Sequence, residues 1–212
     1  MTENTSWKKL FEYRDIIHQR YHKIWDIKIL RKRFRLMIKV IRDENKVLDI
    51  GASNRNLEYR IKGHFPKVIY KSMDVDRSQY HDFYSLNEID ETFDVILLIE
   101  VIEHMELEEG LKMLTRIHTL LKEKGCLIIT TPNIFNPSQF WRDSTHKVAY
   151  CYDELGGILL EKGFEIKSIY RTYNDALHKF FFRVYIMAAL HRYLGIDFTK
   201  SIVIVAQKEE II

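Results

Sequence analysis

Three groups of residues in this 212-residue chain have the types and spacing to do chemistry. In the first, an apolar run from Lys46 to Ile50 leads into Asp49-Ile50-Gly51-Ala52-Ser53-Asn54-Arg55. A carboxylate and a glycine turn that opens a helix make a nucleotide-type cradle, because glycine lets the backbone come close to a ligand and the turn's amides face it. In the second, Met73-Asp74-Val75-Asp76 follows about 20 residues later, where a strand-end carboxylate can accept both hydroxyls of a ribose. The third is Glu100-Val101-Ile102-Glu103-His104, with His146 further along. Such side chains move protons near neutral pH or hold a divalent cation. Each has a plainer reading as well. Asp74 can be a loop aspartate, Glu103 a charge at a helix N-terminus, His104 a satisfied structural histidine and His146 an ordinary loop residue.

These groups need strands and helices to hold them. Lys46–Ile50, 68–75, Phe93–Ile99, 126–131, 164–170 and 201–207 read as strands, being short, apolar and β-branched. Between them, 57–62, a stretch with Leu107, Leu111, Leu114, His118 and Leu121, and 153–162 read as helices. Gly125 stops the second helix, and the third carries Asp153 at its N-cap and Gly163 just past its end. Strands alternating with helices predict βαβ units in a mainly parallel, Rossmann-like sheet, with ligands at the carboxyl ends of its strands. Ahead of this unit, Trp7, Leu10, Phe11, Ile17, Tyr21, Ile24 and Trp25 form one apolar stripe, and Leu30, Phe34, Met37, Ile38 and Ile41 a second. The spacing predicts two helices that break near residues 26–28 and pack on the domain that follows. The division expected is an attachment over 1–44 and one domain over 45–212.

Composition narrows the class. Hydrophobic residues are 46% and charged residues 30%, which suits a globular domain with a proper core and excludes disorder throughout. Two cysteines, Cys126 and Cys151, are too few for a disulfide scaffold or a cysteine zinc site, so a reducing, cytoplasmic compartment is expected. No apolar run reaches the ~18 residues that span a bilayer, and MTENTSWKKLFEYRD lacks the apolar region of a signal peptide. Lys+Arg number 33 and Asp+Glu 30, a net +3. Residues 1–44 hold 12 basic and 6 acidic side chains (+6), leaving 21 and 24 (−3) for the rest. The N-terminal segment thus either faces something anionic or is a solvated helix face.

Taken in order, Val47-Leu48-Asp49-Ile50-Gly51, Phe93-Asp94-Val95-Ile96, Glu100-Val101-Ile102-Glu103-His104 and Leu121 through Gly125 to Thr131-Pro132-Asn133 resemble the class I S-adenosylmethionine-dependent methyltransferases. The resemblance runs from about Val47 to Gln207. It implies a seven-stranded sheet with flanking helices and an antiparallel last strand, and S-adenosylmethionine as cofactor. By position, Asp49, Gly51, Ala52 and Ser53 would line its methionine part, Asp74 with Val75 its ribose, Asp82 and Phe83 its adenine, and Ile99 and Glu100 the floor under the sulfonium. Two departures stand out. Ser53 occupies the place of the family's second glycine, so Asn54 or Asn56 would take the positive φ the loop needs. Only the 16 residues from Asp76 to Glu91 separate two strands where the family has a helix and a strand, leaving room for a short third strand near residues 81–84.

Methyl transfer is an in-line displacement, so the protein mainly positions the reactants. An acceptor with a proton to lose needs a base in reach, and the candidates are Glu100, Glu103, His104, His146 and Tyr150. In related glycan and small-molecule enzymes a loop similar to 131–147 closes over the acceptor, its histidine a base or substrate contact. In small-RNA 2′-O-methyltransferases a similar ExxEH with a downstream histidine binds a divalent metal, and Glu100, Glu103, His104 and His146 match that set by type and order. The expectation is His104 and His146 with Glu100 as the catalytic groups, no metal, and O-methylation of a glycan, lipid-linked sugar or metabolite. A metal-assisted RNA enzyme and a degenerate fold that binds a partner are the alternatives. Nucleic acid is not an expected partner, because no separate RNA-binding module is visible; a monomer or homodimer is. The segment 171–200 is longer than the usual hairpin, and its Leu177, Phe180, Phe181, Val184, Tyr185 and Ala188 repeat at helical spacing among Lys179, Arg183, His191 and Arg192. Such a helix either packs as a lid or dimer contact or lies on a membrane surface.

Overall fold

The computed structural model describes residues 7–174 and 176–209, apart from the side chain of Trp7. Its sheet has seven strands, β1 (Lys28–Leu30), β2 (Lys46–Ile50), β3 (Ile69–Met73), β4 (Phe93–Ile99), β5 (Leu121–Pro132), β6 (Phe164–Thr172) and β7 (Ser201–Lys208). Their order is β1-β6-β7-β5-β4-β2-β3. All pairs are parallel except those of β7, which runs antiparallel to both β5 and β6. This is the Rossmann-like, mainly parallel sheet expected, with its last strand reversed.

Helices cover both faces, which is why β4 reads as an unbroken apolar run rather than an alternating one. On one face α1 (Trp7–Arg20), α4 (Leu107–Leu120) and α6 (Tyr152–Glu161) bury Ile17, Leu114, Ile117, Leu155 and Ile158 against Leu48, Ile50, Leu98 and Ile129. On the other, α2 (Arg33–Val40) and α3 (Asn56–Lys62) bury Leu36, Met37 and Ile61 against Val47, Val95 and Leu97. Helix α1 lies close along α6 because residues 156 and 157 are glycines. A Cβ on Gly157 would come within 2.8 Å of the Arg14 backbone nitrogen. The Arg14 guanidinium then reaches Asp153 at 3.0 Å. Asp153 therefore is not the N-cap of α6; Cys151 holds that position, and the buried Asp153 carboxylate serves the helix pair instead.

Two further expectations change. The break between the N-terminal helices is not a bare turn: residues 28–30 become β1, an edge strand pairing Lys28, Ile29 and Leu30 with Tyr170, Arg171 and Thr172. Conversely, the short strand expected near 81–84 shrinks to one isolated bridge between Met73 and Phe83. The count of seven is thus completed at the opposite edge. Between β6 and β7 the chain is helical, as α7 (Leu177–Phe181), a π turn (Phe182–Ile186) and α8 (Ala188–Leu194). A short α5 (Pro137–Trp141) follows β5.

Candidate active site

The glycine turn leaves β2 beside the end of β3. Its amides do not face outward as expected: those of Gly51 and Ala52 donate to the Met73 carbonyl at 2.9 and 3.2 Å, and that of Ser53 to Asp74 Oδ2 at 2.7 Å. The neighbouring strand end supplies acceptors, so the turn offers a ligand bare backbone surface rather than donors. Gly51 has φ +74°, and a side chain there would overlap Val101. Positive φ falls next on Ser53 (45°) and Arg55 (57°), not on Asn54 or Asn56. The bond from the Ser53 amide to Asp74 holds serine in the conformation a glycine would adopt freely, a strain of about 1–2 kcal/mol.

Asp49 is buried and accepts from the Tyr70 hydroxyl. Burial pushes its carboxyl up to about 7, against the Tyr70 hydrogen bond, which pulls the other way. Asp74 stands at the strand end and accepts the Ser53 and Asp76 amides, one on each oxygen. Val75 next to it is 78% exposed. Asp82 is engaged by its own neighbours. It accepts from Lys71 Nζ at 3.0 Å and from the Ser72 amide and hydroxyl at 3.0 and 3.1 Å, and Arg55 lies 3.6 Å away. These donors hold its carboxyl below the usual range despite partial burial. Phe83 is fixed beside it by the bridge to β3.

At the end of β4, Ile99 lines a cleft and Glu100 turns with φ +55°. The Glu100 carboxylate takes Arg33 Nη1 at 3.2 Å and the Thr130 hydroxyl at 2.7 Å. This ion pair anchors α2 over the strand ends. The sequence does not signal Arg33, which lies 67 residues away among other basic residues.

Beyond Glu100 the chain makes a tight turn over residues 102–104 that buries Glu103 completely. Among the described residues, neither Glu103 oxygen has a hydrogen-bond partner. Burial, with the charge of Glu100 adding to it, pushes this carboxyl up to about 8. The Glu103 carbonyl accepts from the amides of Lys147 and Val148, which brings the His146 loop back over the site. The two imidazoles meet with centroids 4.7 Å apart. Their hydrogen bonds fix the tautomers. His146 Nδ1 lies 2.8 Å from the Phe140 carbonyl, which only accepts, so Nδ1 carries the proton. Thr145 Oγ1 donates to the Asp143 carboxylate at 2.7 Å, and so accepts from His104 Nδ1 at 2.8 Å. In the neutral rings both Nε2 atoms keep their lone pairs. Tyr150, also a candidate base, is buried with its phenol pushed up to about 12 by desolvation, which removes it from that role.

The cleft, of about 840 Å³, runs from Asp49, Gly51, Ala52, Ser53 and Ile99 down between α2 and α3. This geometry meets a matching family. The family model described as a methyltransferase domain matches residues 17–174. The chain belongs to this methyltransferase family. No curated protein matches it, but solved structures do. A S-adenosylmethionine-dependent methyltransferase from Archaeoglobus fulgidus superposes with a TM-score of 0.65 at 18% identity, covering 95% of this chain and all (100%) of that one. An S-adenosylmethionine-dependent methyltransferase from Mesorhizobium loti gives 0.61 at 10% identity, covering 82% and 97%. Phosphoethanolamine N-methyltransferase 2 of Haemonchus contortus, in complex with S-adenosyl-L-methionine, gives 0.57 at 12%, covering 84% of this chain and 52% of that one.

The protein is thus an S-adenosylmethionine-dependent methyltransferase. Its cleft suits that cofactor on its own terms. Gly51 lines it without a side chain, and beside it, outside the lining, each Asp74 oxygen accepts a single amide, which leaves lone pairs for a diol. Among the described residues, no helix of the methyltransferase is long and apolar enough to cross a membrane.

Proposed function

We propose that the methyltransferase acts on a hydroxyl of a small or medium acceptor, such as a glycan, lipid-linked sugar or metabolite, with His146 and His104 as the proton-accepting groups. The observation that carries this reading is the pair of imidazoles whose Nδ1 protons are committed to Phe140 and Thr145. Bound S-adenosylmethionine supplies an electrophilic methyl group. Asp49 and the Gly51–Ser53 turn would hold its amino-acid part, Asp74 and Val75 its ribose, Phe83 its base, and Ile99 with Glu100 the floor of the transfer site. Asp82 would act on the base through the wall it stiffens, since its oxygens are taken. His146 Nε2 receives the acceptor's proton, and Asp143, 4.0 Å away and kept ionised by the Thr145 amide and hydroxyl, stabilises the imidazolium. The N-terminal helices and the 171–200 segment would shape the acceptor pocket, and the aromatic, basic face of that segment can rest on a membrane surface.

A second reading rests on a specific cluster. Glu103, His104 and His146 each bring one ligand atom within 4.8 Å of the others, although the sequence reading expected no metal. Two imidazole lone pairs and a carboxylate suit a divalent ion that would activate the acceptor hydroxyl instead. The test is methyl transfer to a panel of sugars, lipid-linked sugars and small alcohols, in chelator and with added Mg²⁺ or Mn²⁺. Activity that survives chelation and is lost in His146→Ala supports the base reading. Activity that requires the ion supports the second, and transfer to RNA alone would replace the acceptor class.

A further inference from the structure

The walls of the cleft are unevenly charged. Lys32, Arg33, Arg35, Arg60 and His64 line it, and Asp49, on the buried floor, is its single carboxylate. Arg33 is bound by Glu100, whereas Lys32 and Arg35 make no ion pair among the described residues. Arg60 lies over the Phe34 ring, 4.0 Å from its centroid, and His64 packs edge-on to the same ring at 5.1 Å. A guanidinium stacked this way is held flat, with its N–H edge free for a planar or tetrahedral oxyanion. His64 Nδ1 faces the Arg60 carbonyl at 3.1 Å and so carries its proton, which leaves the Nε2 lone pair to accept from a P–OH group rather than to donate to an oxyanion. Like charges gathered in a groove with low-dielectric walls focus a positive field that an anion relieves.

The cofactor does not account for this field. S-adenosylmethionine has one carboxylate against an ammonium and a sulfonium, a net positive charge, and its amino-acid end belongs at the Gly51 turn. Arg60 stands four residues after Asn56 at the start of α3, roughly 6 Å further from that turn along the helix axis, and His64 follows just past the end of the helix.

We propose that the groove between α2 and α3 is a subsite for a phosphate group on the acceptor, held by Lys32, Arg35, Arg60 and His64. The acceptor then stretches along the cleft to place its hydroxyl near Ile99 and Glu100. This rests on the acceptor reading above and adds the chemical class of substrate: a phosphorylated alcohol or sugar.

The probe is inorganic pyrophosphate, titrated calorimetrically into the full chain at about 0.15 M salt, with and without saturating S-adenosylhomocysteine. Saturable binding that the cofactor product leaves unchanged is expected. Arg35→Ala and Arg60→Ala should each weaken it by about tenfold or more, the effect of one lost charged hydrogen bond, while leaving S-adenosylhomocysteine affinity in place. No binding by folded protein overturns the proposal. So does competition between the two ligands, which would assign these cations to the cofactor's carboxylate. If pyrophosphate binds but S-adenosylhomocysteine does not, the subsite stands and the cofactor placement proposed above fails. Vesicles of phosphatidylcholine with phosphatidic acid then identify the source. Binding that the same variants abolish assigns a lipid phosphate, and its absence beside pyrophosphate binding assigns a soluble ester; both support the subsite.

Discussion

Asp49 and Glu103 are carboxyls that the fold keeps away from water, and each yields a measurable pH effect. An acid raised by burial holds a proton in the folded state that the unfolded chain has released, so stability is highest at the acidic end and falls as pH rises through the window. For Glu103 that window runs from its usual range, near 4.5, to about 8. Thermal midpoints of the metal-free protein should drop across it, and Glu103→Gln should flatten the slope and raise stability at pH 8 by an amount on the order of a few kcal/mol, because a carboxamide has no proton to release. An unchanged slope would mean that Glu103 is solvated or paired in solution. Asp49 has the opposite consequence for binding. On the proposed placement its ionised form would pair with the ammonium of the cofactor's amino-acid part, so S-adenosylhomocysteine should bind more tightly from pH 6 to 8, with the inflection near 7. Asp49→Asn should bind about tenfold more weakly and lose the pH dependence. At this scale the sequence was informative about type: Asp49, Asp74, Glu103, His104 and His146 stand out by their place in motifs. It was silent on Arg33 and Thr130, because a long-range partner has no local signature.

Among elements, the βαβ core was legible because its strands are buried on both faces and Gly163 marks the end of α6, although Gly125, expected to stop α4, lies within β5 and the helix ends at Leu120. The two edges were not. Three residues, Lys28-Ile29-Leu30, carry no periodicity; they become β1 because β6 presents free backbone groups and Arg171 holds the carbonyls of Ile27 and Trp25. At the other edge the chain is too short for a full strand, and a side chain stands in for the ladder: the Asp82 carboxylate accepts the Ser72 amide that a neighbouring strand's carbonyl would otherwise take. The α1–α6 contact depends on the absence of a methyl group. Gly157→Ala places a Cβ against the Arg14 backbone, which cannot move without shifting the helix. It should destabilise by about 1–3 kcal/mol, read by chemical denaturation, although alanine is the better helix former. A neutral or stabilising result would mean that α1 is not seated on α6 in solution.

Across the whole molecule, one buried ion pair ties distant parts together. Arg171 Nη1 reaches Asp197 at 2.8 Å, and its other nitrogens bind the Ile27 and Trp25 carbonyls. Asp197 also accepts from Asn133 Nδ2 at 2.8 Å and from the Thr199 hydroxyl. The N-terminal segment, the end of β5, β6 and the return from α8 all meet at this point. Asp197→Ala leaves a buried guanidinium uncompensated and should cost about 3–5 kcal/mol, with faster amide exchange over residues 24–30; removing both charges with Arg171→Met as well should be milder. Equal losses in the single and double variants would refute the coupling. Neither residue is marked in the sequence, where each reads as an ordinary boundary of the 171–200 segment.

The edge strand β1 also dictates an order of events during synthesis. Lys28 pairs with Tyr170, 142 residues later, whereas the β2–β3, β2–β4 and β4–β5 pairs all form within residues 46–132. Contacts of such unequal reach close at unequal times, and the local ones come first. On the ribosome the segment that carries α1 and β1 therefore emerges ahead of the core yet is among the last to be placed, waiting with its apolar stripe uncovered until α6 and β6 have left the exit tunnel.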